Sequence, residues 1–170
     1  WVSEEILLDL ADTQTPQGIV AVIQKEEVGL PDFSQGKFLF LEDVQDPGNV
    51  GTMIRTADAA GFTGVIVSDK SADIYSLKTL RSMQGSHFHL PIYRMPLATF
   101  VEEAKKSNLP ILATTLSKES KDYREFSPLE NFALVMGNEG QGISHIMAES
   151  ADQLVHIGMK GRAESLNVAV

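Results

Sequence analysis

The apolar positions of this chain fall into short runs that are separated by longer segments with helical spacing. Five runs have the length and the β-branched or aromatic composition of buried strands, namely residues 37–42 (KFLFLE), 64–68 (GVIVS), 109–115 (LPILATT), 132–137 (FALVMG) and 153–158 (QLVHIG). Helices are predicted between them, over residues 49–61, 73–85, 96–108 and 142–151. Strands that alternate with helices need crossover connections, so the pattern predicts an α/β fold with a mainly parallel sheet and helices on both faces.

The first 36 residues have a different character. Residues 18–24 (GIVAVIQ) have strand composition, and residues 29–36 (GLPDFSQG) are dense in turn formers. We expect this part to be the end of an upstream module followed by a linker, with the main domain beginning at residue 37. Because the chain starts with Trp1 and stops inside an apolar periodic run, we expect a fragment that is trimmed at both ends.

Charge and composition exclude few functions. The chain has 170 residues and a net charge of −9, but residues 1–46 hold ten acidic and two basic residues, whereas residues 47–170 hold thirteen and twelve. The excess of acidic residues therefore lies almost entirely in residues 1–46, and residues 47–170 can still present local basic faces to a nucleic acid. Disulfides and thiolate metal sites are excluded because cysteine is absent. No apolar run approaches the roughly 20 residues that span a bilayer, so we expect no membrane span.

Three segments rich in glycine and polar residues coincide with ends of predicted strands. In parallel sheets, ligands bind beyond the carboxyl ends of the strands, where loops lead into helices. We call these segments the first loop, residues 42–51 (EDVQDPGNVG), the second loop, residues 136–142 (MGNEGQG), and the third loop, residues 158–167 (GMKGRAESLN).

The second loop contains three glycines around Glu139. Gly137, Gly140 and Gly142 either let a ligand approach the backbone or make a tight strand-to-helix turn, and the pattern alone favours neither. In the second interpretation Glu139 is a solvated residue. The order of the glycines differs from that of a dinucleotide-binding loop, and no Lys-Ser/Thr pair follows, so a phosphate cradle is a poor fit.

The first loop leads into a predicted helix that contains Arg55. Asn49 is of the right type to cap this helix. Gly51, Arg55 and Asp58 share one helix face. Arg55 therefore either forms a surface ion pair with Asp58 or reaches over Gly51 towards a phosphate or carboxylate, and the spacing alone favours the ion pair.

The third loop ends in Ser165, Leu166 and Asn167. Ser165 precedes an apolar run, so the capping of a helix is its simplest role. Asn167 would lie in the first turn of that helix, where asparagine is a mediocre helix former. The side-chain amide of Asn167 either forms a hydrogen bond across a loop or has a purely local role, and the sequence favours neither.

Other chemistries find less support in the sequence. His87 and His89 lie two residues apart in a possible strand with no third ligand in view, so we predict no metal site. Hydrolase chemistry lacks a nucleophile elbow. An NAD-dependent oxidoreductase predicts G-x-G-x-x-G after an early strand, and the first loop lacks the first glycine pair.

Together and in this order, the three loops resemble the motifs of the SpoU (TrmH-like) branch of the SPOUT RNA methyltransferases. The first motif matches PGNVGTMIRTADAAGF, the second LVMGNEGQGIS and the third IGMKGRAESLNVAV. The resemblance covers residue 37 to the end of the chain. It departs at Gly158, where the family commonly has a proline, and we expect this to change local stiffness without removing a ligand contact.

The resemblance implies methylation of a ribose 2′-hydroxyl in structured RNA with S-adenosylmethionine as cofactor. It also implies a C-terminal trefoil knot, which composition alone would not predict. In such a fold the glycines would let the backbone reach the adenosyl group. The cofactor-binding residues implied are Thr114, Gly137, Asn138, Ile157, Met159, Ser165 and Leu166.

Five residues have catalytic roles by the same resemblance. Arg55 is implied as the base or as a phosphate anchor and electrostatic stabiliser, and the chemistry of guanidinium favours the second role. Asn49, Ser165 and Asn167 would orient Arg55, the ribose or the loops. Glu139 would bond the other two motifs or serve a purely structural purpose.

The resemblance further implies a cytoplasmic homodimer. Because residues 1–36 look like the exit of an RNA-binding module found in members that act on ribosomal RNA, we expect 23S rRNA to be the substrate. A tRNA 2′-O-methyltransferase is the first alternative. A non-catalytic RNA- or cofactor-binding module is the second, although the presence of Arg55, Asn49 and Asn167 argues against it. The helix after Asn167 is expected to be truncated.

Overall fold

The computed structural model describes residues 1–11, 13, 15–25, 28–127, 129–162 and 165–170. Its centre is a sheet of seven strands, in which every pair of neighbours is parallel. The strands run in the order β3-β2-β1-β6-β4-β7-β5. They are β1 (Lys37–Leu41), β2 (Gly64–Val67), β3 (Ile92–Arg94), β4 (Ile111–Thr114), β5 (Lys121–Asp122), β6 (Phe132–Met136) and β7 (Gln153–His156).

Helices cover both faces of this sheet. They are α2 (Pro47–Ala59), α3 (Leu77–Met83), α4 (Leu97–Lys106) and α5 (His145–Ser150), with short 3₁₀ turns at Ser86–Phe88 and Tyr123–Glu125. A further helix, α1 (Glu4–Leu10), has no buried residue. Phe38 and Phe40 of β1 pack with residues of α4 and α5, whereas Leu39 and Leu41 pack with residues of α2 and α3. The predicted α/β class and the mainly parallel sheet are therefore confirmed.

Because alternate residues of β1 face opposite sides of the sheet, the core consists of two hydrophobic clusters. The α4 cluster consists of Phe33, Phe38, Phe40, Ile66, Met95, Phe100, Ala104, Leu109, Ile111, Ala113, Ala133, Val135 and Met147. The α2 cluster consists of Leu39, Leu41, Val44, Val50, Met53, Ile54, Ala57, Val65, Val67, Ile74, Met83, Leu90 and Ile92.

Stacked aromatic rings fix α4 on the sheet. The rings of Phe40 and Phe100 stack with centroids 4.2 Å apart, and Phe33 packs edge-on against both Phe38 and Phe100. Full burial of a phenylalanine side chain contributes about 1.5–3 kcal/mol. Phe33, which lies in the predicted linker, is therefore part of the core.

The prediction of a strand at residues 18–24 is wrong. The described part of this segment forms no strand, and Ile19 and Val22 are 84% and 99% exposed. A strand needs a neighbour to satisfy its backbone groups, and strand composition alone cannot provide one. The short strands β3 and β5 and helix α1 were not predicted. His87 lies in a 3₁₀ turn and His89 directly after it, instead of in a strand.

The sheet order brings the first and second loops together. Strands β1 and β6 are neighbours at the centre of the sheet, with Leu41 opposite Met136 at their carboxyl ends. The loops that follow them therefore leave the same edge side by side, where ligands bind in parallel sheets. Helix α2, which follows the first loop, packs closely on α3: a Cβ added to Gly51 would lie 2.5 Å from Ser82 Cβ. Gly51 is thus needed for helix packing.

Candidate active site

The carboxylate of Glu139 joins the first loop to the second. It accepts hydrogen bonds from the backbone N–H of Gln45 at 3.2 Å, from that of Asp46 at 3.1 Å, and from the side-chain amide of Asn49 at 3.1 Å. A solvated role for Glu139 is therefore wrong. Three donors around one carboxylate fix the position of the second loop against the start of α2.

The cap of α2 is Asp46, and the prediction that Asn49 caps this helix is wrong. Pro47 is the first helical residue, and Asp46 Oδ1 accepts the backbone N–H of Asn49 at 3.0 Å. Proline is favoured at that position because its missing N–H needs no partner. With the cap supplied by Asp46, the amide of Asn49 is free to bond Glu139.

Both carboxylates at this junction favour the ionised form. For Glu139, burial raises the pKa, but the hydrogen bonds from Asn49 and from the backbone of Asp46 and Gln45 outweigh it, so the pKa lies below its ordinary value. For Asp46, the ammonium group of Lys78 at 2.8 Å and then the backbone N–H of Asn49 lower the pKa. The first loop is thus held by negative charges that persist at neutral pH.

The second loop folds back on itself. Asn138 and Gly142 exchange two backbone hydrogen bonds, of 3.0 and 2.9 Å. A Cβ added to Gly137 would lie only 2.3 Å from Ile143 N, whereas Gly142 has a φ of +70° and open space beyond its Cα. Gly137 is therefore required by the loop's own backbone and Gly142 by its conformation. The loop's own backbone is thus one reason for glycine at position 137, and the approach of a ligand there stays a prediction.

The side chain of Asn138 organises both the second loop and the end of β1. Its oxygen accepts the backbone N–H of Gly140 at 2.9 Å and that of Gln141 at 3.0 Å. Its amide nitrogen donates to the carbonyl of Asp43 at 2.8 Å. The side chain of this predicted cofactor-binding residue therefore shapes the loop through three hydrogen bonds.

Two acidic residues of the first loop were missed by sequence reasoning. Glu42 is 4% exposed, and its carboxylate accepts the backbone N–H of Ser144, the N-cap of α5, at 3.1 Å. Asp43 has a φ of 55°, uncommon for a residue other than glycine, and its carboxylate accepts the hydroxyl of Ser68 at 2.6 Å. The signal available was the position of both acids directly after a buried strand.

Arg55 lies on α2 with its side chain exposed to solvent. It makes no hydrogen bond or ion pair with any residue that the structure describes, so the favoured prediction of an ion pair with Asp58 is wrong. Asp58 instead lies 3.5 Å from Nδ1 of His89. Arg55 is therefore an available cation, two turns along the helix that begins at the Glu139 junction.

The residues that directly follow the third loop reach the α2 face of the sheet. Val168 and Ala169 pack against the α2 cluster. Asn167 Oδ1 accepts the backbone N–H of Ala169 at 2.8 Å, and the carbonyl of Asn167 accepts that of Val170 at 3.0 Å. The described residues that end the chain thus contain a turn at residues 168–169 instead of the predicted helix start.

Ser165 and Asn167 remain apart from the other two loops in this arrangement. Among the described residues, neither side chain bonds the first or the second loop, and Ser165 has no hydrogen-bond partner. Ser165, Leu166 and Asn167 are all exposed. The structure therefore brings together Asn49, Glu139 and the helix of Arg55, but does not connect the last motif to them by a hydrogen bond.

The remaining predicted cofactor residues lie at the carboxyl ends of β4 and β7. The hydroxyl of Thr114 donates to the carbonyl of Val135 at 2.9 Å and so links β4 to β6. Ile157 follows β7 and is 47% exposed, and Met159 is half-buried. Between them, Gly158 donates its backbone N–H to the carboxylate of Asp122 at 3.2 Å, a bond that a proline could not make.

The described part of the chain contains no cluster of three or more histidine, cysteine or acidic residues that could hold a metal ion. Within the same residues, no helix is long and apolar enough to cross a membrane.

Comparison with known proteins identifies relatives of this chain. Residues 36–170 match the SpoU rRNA Methylase family. The chain is 44% identical over 169 residues to the 23S rRNA (guanosine(2553)-2′-O)-methyltransferase RlmP of Bacillus subtilis, and this alignment covers 99% of the chain and 67% of that protein.

Solved structures show the same fold. The chain matches an rRNA methyltransferase from Sinorhizobium meliloti with a TM-score of 0.90 and 34% identity, over 98% of this chain and 65% of that one. It matches an AdoMet-bound rRNA methyltransferase from the same organism with a TM-score of 0.74 and 40% identity, over 78% of this chain and 51% of that one. The chain thus spans about half to two thirds of the length of these proteins. Since the family match covers most of its length, the chain belongs to the SpoU rRNA methylase family.

Proposed function

We propose that this chain transfers a methyl group from S-adenosylmethionine to a ribose 2′-hydroxyl in structured RNA, with 23S rRNA as the substrate. The observation that carries the proposal is the bonding of Glu139, which ties the start of the Arg55 helix to the second loop. An available cation and a loop with accessible backbone groups are thereby fixed on one edge of the sheet. Such a pair suits an anionic substrate placed beside a nucleoside-containing cofactor.

The carboxyl edge of the sheet fits the adenosyl part of the cofactor. An adenine ring needs apolar surface on its faces and backbone groups at its edge. Ile157, which directly follows β7, is 47% exposed, and Leu166 of the third loop is 45% exposed, so two large apolar side chains are available to a ligand. The backbone at Gly142 is open, because a Cβ there would meet no atom within 4 Å. The residues proposed to hold the cofactor are Thr114, Gly137, Asn138, Ile157, Met159, Ser165 and Leu166.

S-adenosylmethionine, when bound, supplies a methyl group that is electrophilic because it is attached to a sulfonium. The ribose oxygen would have to lie in line with this group and give its proton to solvent water, so orientation of the hydroxyl would carry much of the rate. Guanidinium groups remain protonated in proteins. We therefore assign Arg55 to binding an RNA phosphate and stabilising charge on the ribose oxygen. Asn49, Ser165 and Asn167 would orient Arg55 and the ribose, and Glu139 would hold Asn49.

The choice of 23S rRNA follows the relative from Bacillus subtilis, whose name gives that substrate. Another relative from the same organism is named as acting on tRNA or rRNA, so tRNA is the competing substrate in the experiment below. A non-catalytic role is disfavoured because Arg55 is exposed and bonds no residue that the structure describes, and because Asn49 is bonded to Glu139. A module that only bound RNA would not need this arrangement.

We further propose a C-terminal trefoil knot, a homodimer and a cytoplasmic location. Support for the knot comes from the sheet order, in which β6 enters between β1 and β4 and β7 enters between β4 and β5. We also propose that residues 1–36 are the end of an RNA-binding module and its linker, since the family match begins at residue 36 and α1 has no buried residue.

The test maps 2′-O-methylated nucleotides in 23S rRNA and in tRNA from a strain that lacks the gene. We expect one ribosomal position to lose its methyl group, to regain it with the wild-type gene, and not to regain it with Arg55→Ala. Loss of a tRNA methylation would move the substrate to tRNA. Unchanged methylation of both RNAs would contradict the proposed activity.

A further inference from the structure

Residues 115–122 comprise the connection from β4 to β5 and β5 itself, and they contact three residues at the end of β7 or just after it. The backbone N–H of Thr115 donates to the carbonyl of Val155 at 3.0 Å. Further along, five residues after Thr115 and one residue after Val155, Ser120 Oγ lies 2.9 Å from Nδ1 of His156. The backbone N–H of Gly158 then donates to Asp122 at 3.2 Å. The backbone that enters the third loop is thus attached to residues 115–122 from Val155 to Gly158.

The contact between Ser120 and His156 indicates which of the two atoms is the hydrogen-bond donor. Ser120 has one hydroxyl hydrogen, and the carbonyl of Ser117, 2.7 Å away, can only accept it. Ser120 Oγ therefore acts as the acceptor for His156, whose Nδ1 carries a hydrogen. This contact holds the end of β7 one residue before Ile157.

The carboxylate of Asp122 is itself held rigidly. Arg124 donates to it from Nε at 2.8 Å and from Nη2 at 2.7 Å, and the backbone N–H of Arg124 adds a third bond of 3.0 Å. The side chain of Asp122 is 14% exposed and that of Arg124 57%. The guanidinium of Arg124 lowers the pKa of Asp122 below its usual range. A two-pronged guanidinium contact of this kind leaves the carboxylate little freedom to rotate.

Asp122 and Gly158 restrict one another. A Cβ added to Gly158 would lie 2.6 Å from Asp122 Oδ2 and 3.5 Å from Arg124 Nη2. The carboxylate cannot move aside without breaking its contacts with Arg124. Glycine at position 158 therefore keeps its N–H on Asp122 without displacing the carboxylate from Arg124.

We infer that Asp122, fixed by Arg124, is a positioning residue that sets the path of residues 157–159 as they leave β7. The inference rests on the proposed function in one respect, since Ile157 and Met159 are two of the residues proposed to hold the cofactor. Asp122 acts on cofactor affinity through Gly158 and does not touch the reacting atoms.

The test uses the full-length protein with Asp122→Ala. We expect the dissociation constant of S-adenosylhomocysteine to rise about tenfold, as for the loss of a hydrogen bond to a charged group. The KM for S-adenosylmethionine should rise by the same factor, while kcat at saturating cofactor changes less than about twofold. Hydrogen exchange of residues 157–162 should accelerate even without ligand. Glu102→Ala, which removes an exposed ion pair with Lys106 on α4, should change none of these quantities.

A second variant tests whether Asp122 acts through Gly158. Gly158→Ala alone should also weaken binding, because its Cβ displaces the carboxylate. In the Asp122→Ala background that atom is absent, so the double variant should bind within about twofold of Asp122→Ala.

The outcomes separate the two proposals. Wild-type affinity together with wild-type exchange in Asp122→Ala overturns the inference, and so does a double variant whose loss is the product of the two single losses. A wild-type protein that binds no S-adenosylhomocysteine overturns the proposed function instead. In that case hydrogen exchange, which needs no ligand, still decides whether Asp122 holds the loop.

Discussion

The side-chain amide of Asn49 donates a hydrogen bond of 3.1 Å to the carboxylate of Glu139, across 90 residues of sequence. The backbone N–H groups of Gln45 and Asp46 converge on the same carboxylate. The start of α2 and the second loop are therefore one hydrogen-bonded unit. Loosening this junction would also change the direction in which α2 presents Arg55.

Replacing Glu139 by glutamine tests the junction directly. The new amide nitrogen cannot accept, so it would face either the N–H of Gln45 or the two donors from Asp46 and Asn49 without a hydrogen bond. We expect the free energy of unfolding, measured by urea denaturation at pH 7, to fall by about 1–2 kcal/mol. Glu130→Gln changes an exposed glutamate that makes no hydrogen bond or ion pair with a described residue, and should cost less than about 0.5 kcal/mol. Equal losses in the two variants would refute a structural role of Glu139.

The contribution of Glu139 should depend on pH in a defined direction. Burial raises its pKa, but the hydrogen bonds from Asn49, Asp46 and Gln45 bring the pKa below its ordinary value. A carboxylate of this kind stabilises the folded state above its unfolded pKa of about 4.3, and this stabilisation is lost as pH falls through the folded value. The difference in unfolding free energy between wild type and Glu139→Gln should be constant from about pH 7 to 5 and shrink below about pH 4. A difference that grows on acidification would show that the hydrogen bonds do not favour the charged form.

The first loop shows which features of the site could be predicted from the sequence. The strand before it and its position at the carboxyl edge followed from the apolar runs, and both are confirmed. The choice of helix cap failed because DPGN offers two capping residues, Asp46 and Asn49. Pro47 was the usable signal, since proline prefers the first helical position and so points to the residue before it.

Contacts between distant segments account for most of the other differences. The spacing of Arg55 and Asp58 favoured an ion pair along the helix, but Asp58 contacts His89, 31 residues away. The need for Gly137 arises where the loop crosses its own backbone. Neither contact leaves a local pattern in the sequence, because local spacing predicts helix neighbours only.

Arg55→Ala separates cofactor binding from chemistry. The side chain is exposed and has no described partner, so its removal should leave the melting temperature nearly unchanged. Methyl transfer to RNA should fall at least about 100-fold, as for loss of a group that stabilises charge in the transition state. The dissociation constant of S-adenosylhomocysteine should stay within about twofold of wild type. Lys105→Ala, an exposed charge on α4, should leave all three quantities unchanged.

Two results would contradict this division of roles. Weaker cofactor binding in Arg55→Ala would place the guanidinium on the cofactor. Full activity in Arg55→Lys would show that a single positive charge suffices, whereas a two-pronged guanidinium contact with phosphate predicts a loss.

The glycines of the second loop should respond very differently to alanine. A Cβ at Gly137 would lie 2.3 Å from both Gly142 C and Ile143 N, and these are backbone atoms that cannot rotate away. A Cβ at Gly140 would meet only Asn138 Oδ1, at an ordinary 3.6 Å. We expect Gly137→Ala to cost about 1–3 kcal/mol of unfolding free energy, the range for forcing extra volume into a packed site. Gly140→Ala should be neutral or slightly stabilising, because alanine reduces the entropy of the unfolded chain.

Thermal unfolding measures the difference in stability between Gly137→Ala and Gly140→Ala. Cofactor binding by the two variants shows whether that difference affects the proposed site. If the fold of the second loop shapes the cofactor site, Gly137→Ala should also weaken S-adenosylhomocysteine binding, with Gly140→Ala as its matched control. Preserved binding in a destabilised Gly137→Ala would mean that the loop supports the fold but not the site. Weakened binding in Gly140→Ala at unchanged stability would mean that a ligand approaches closely at Gly140 and not at Gly137.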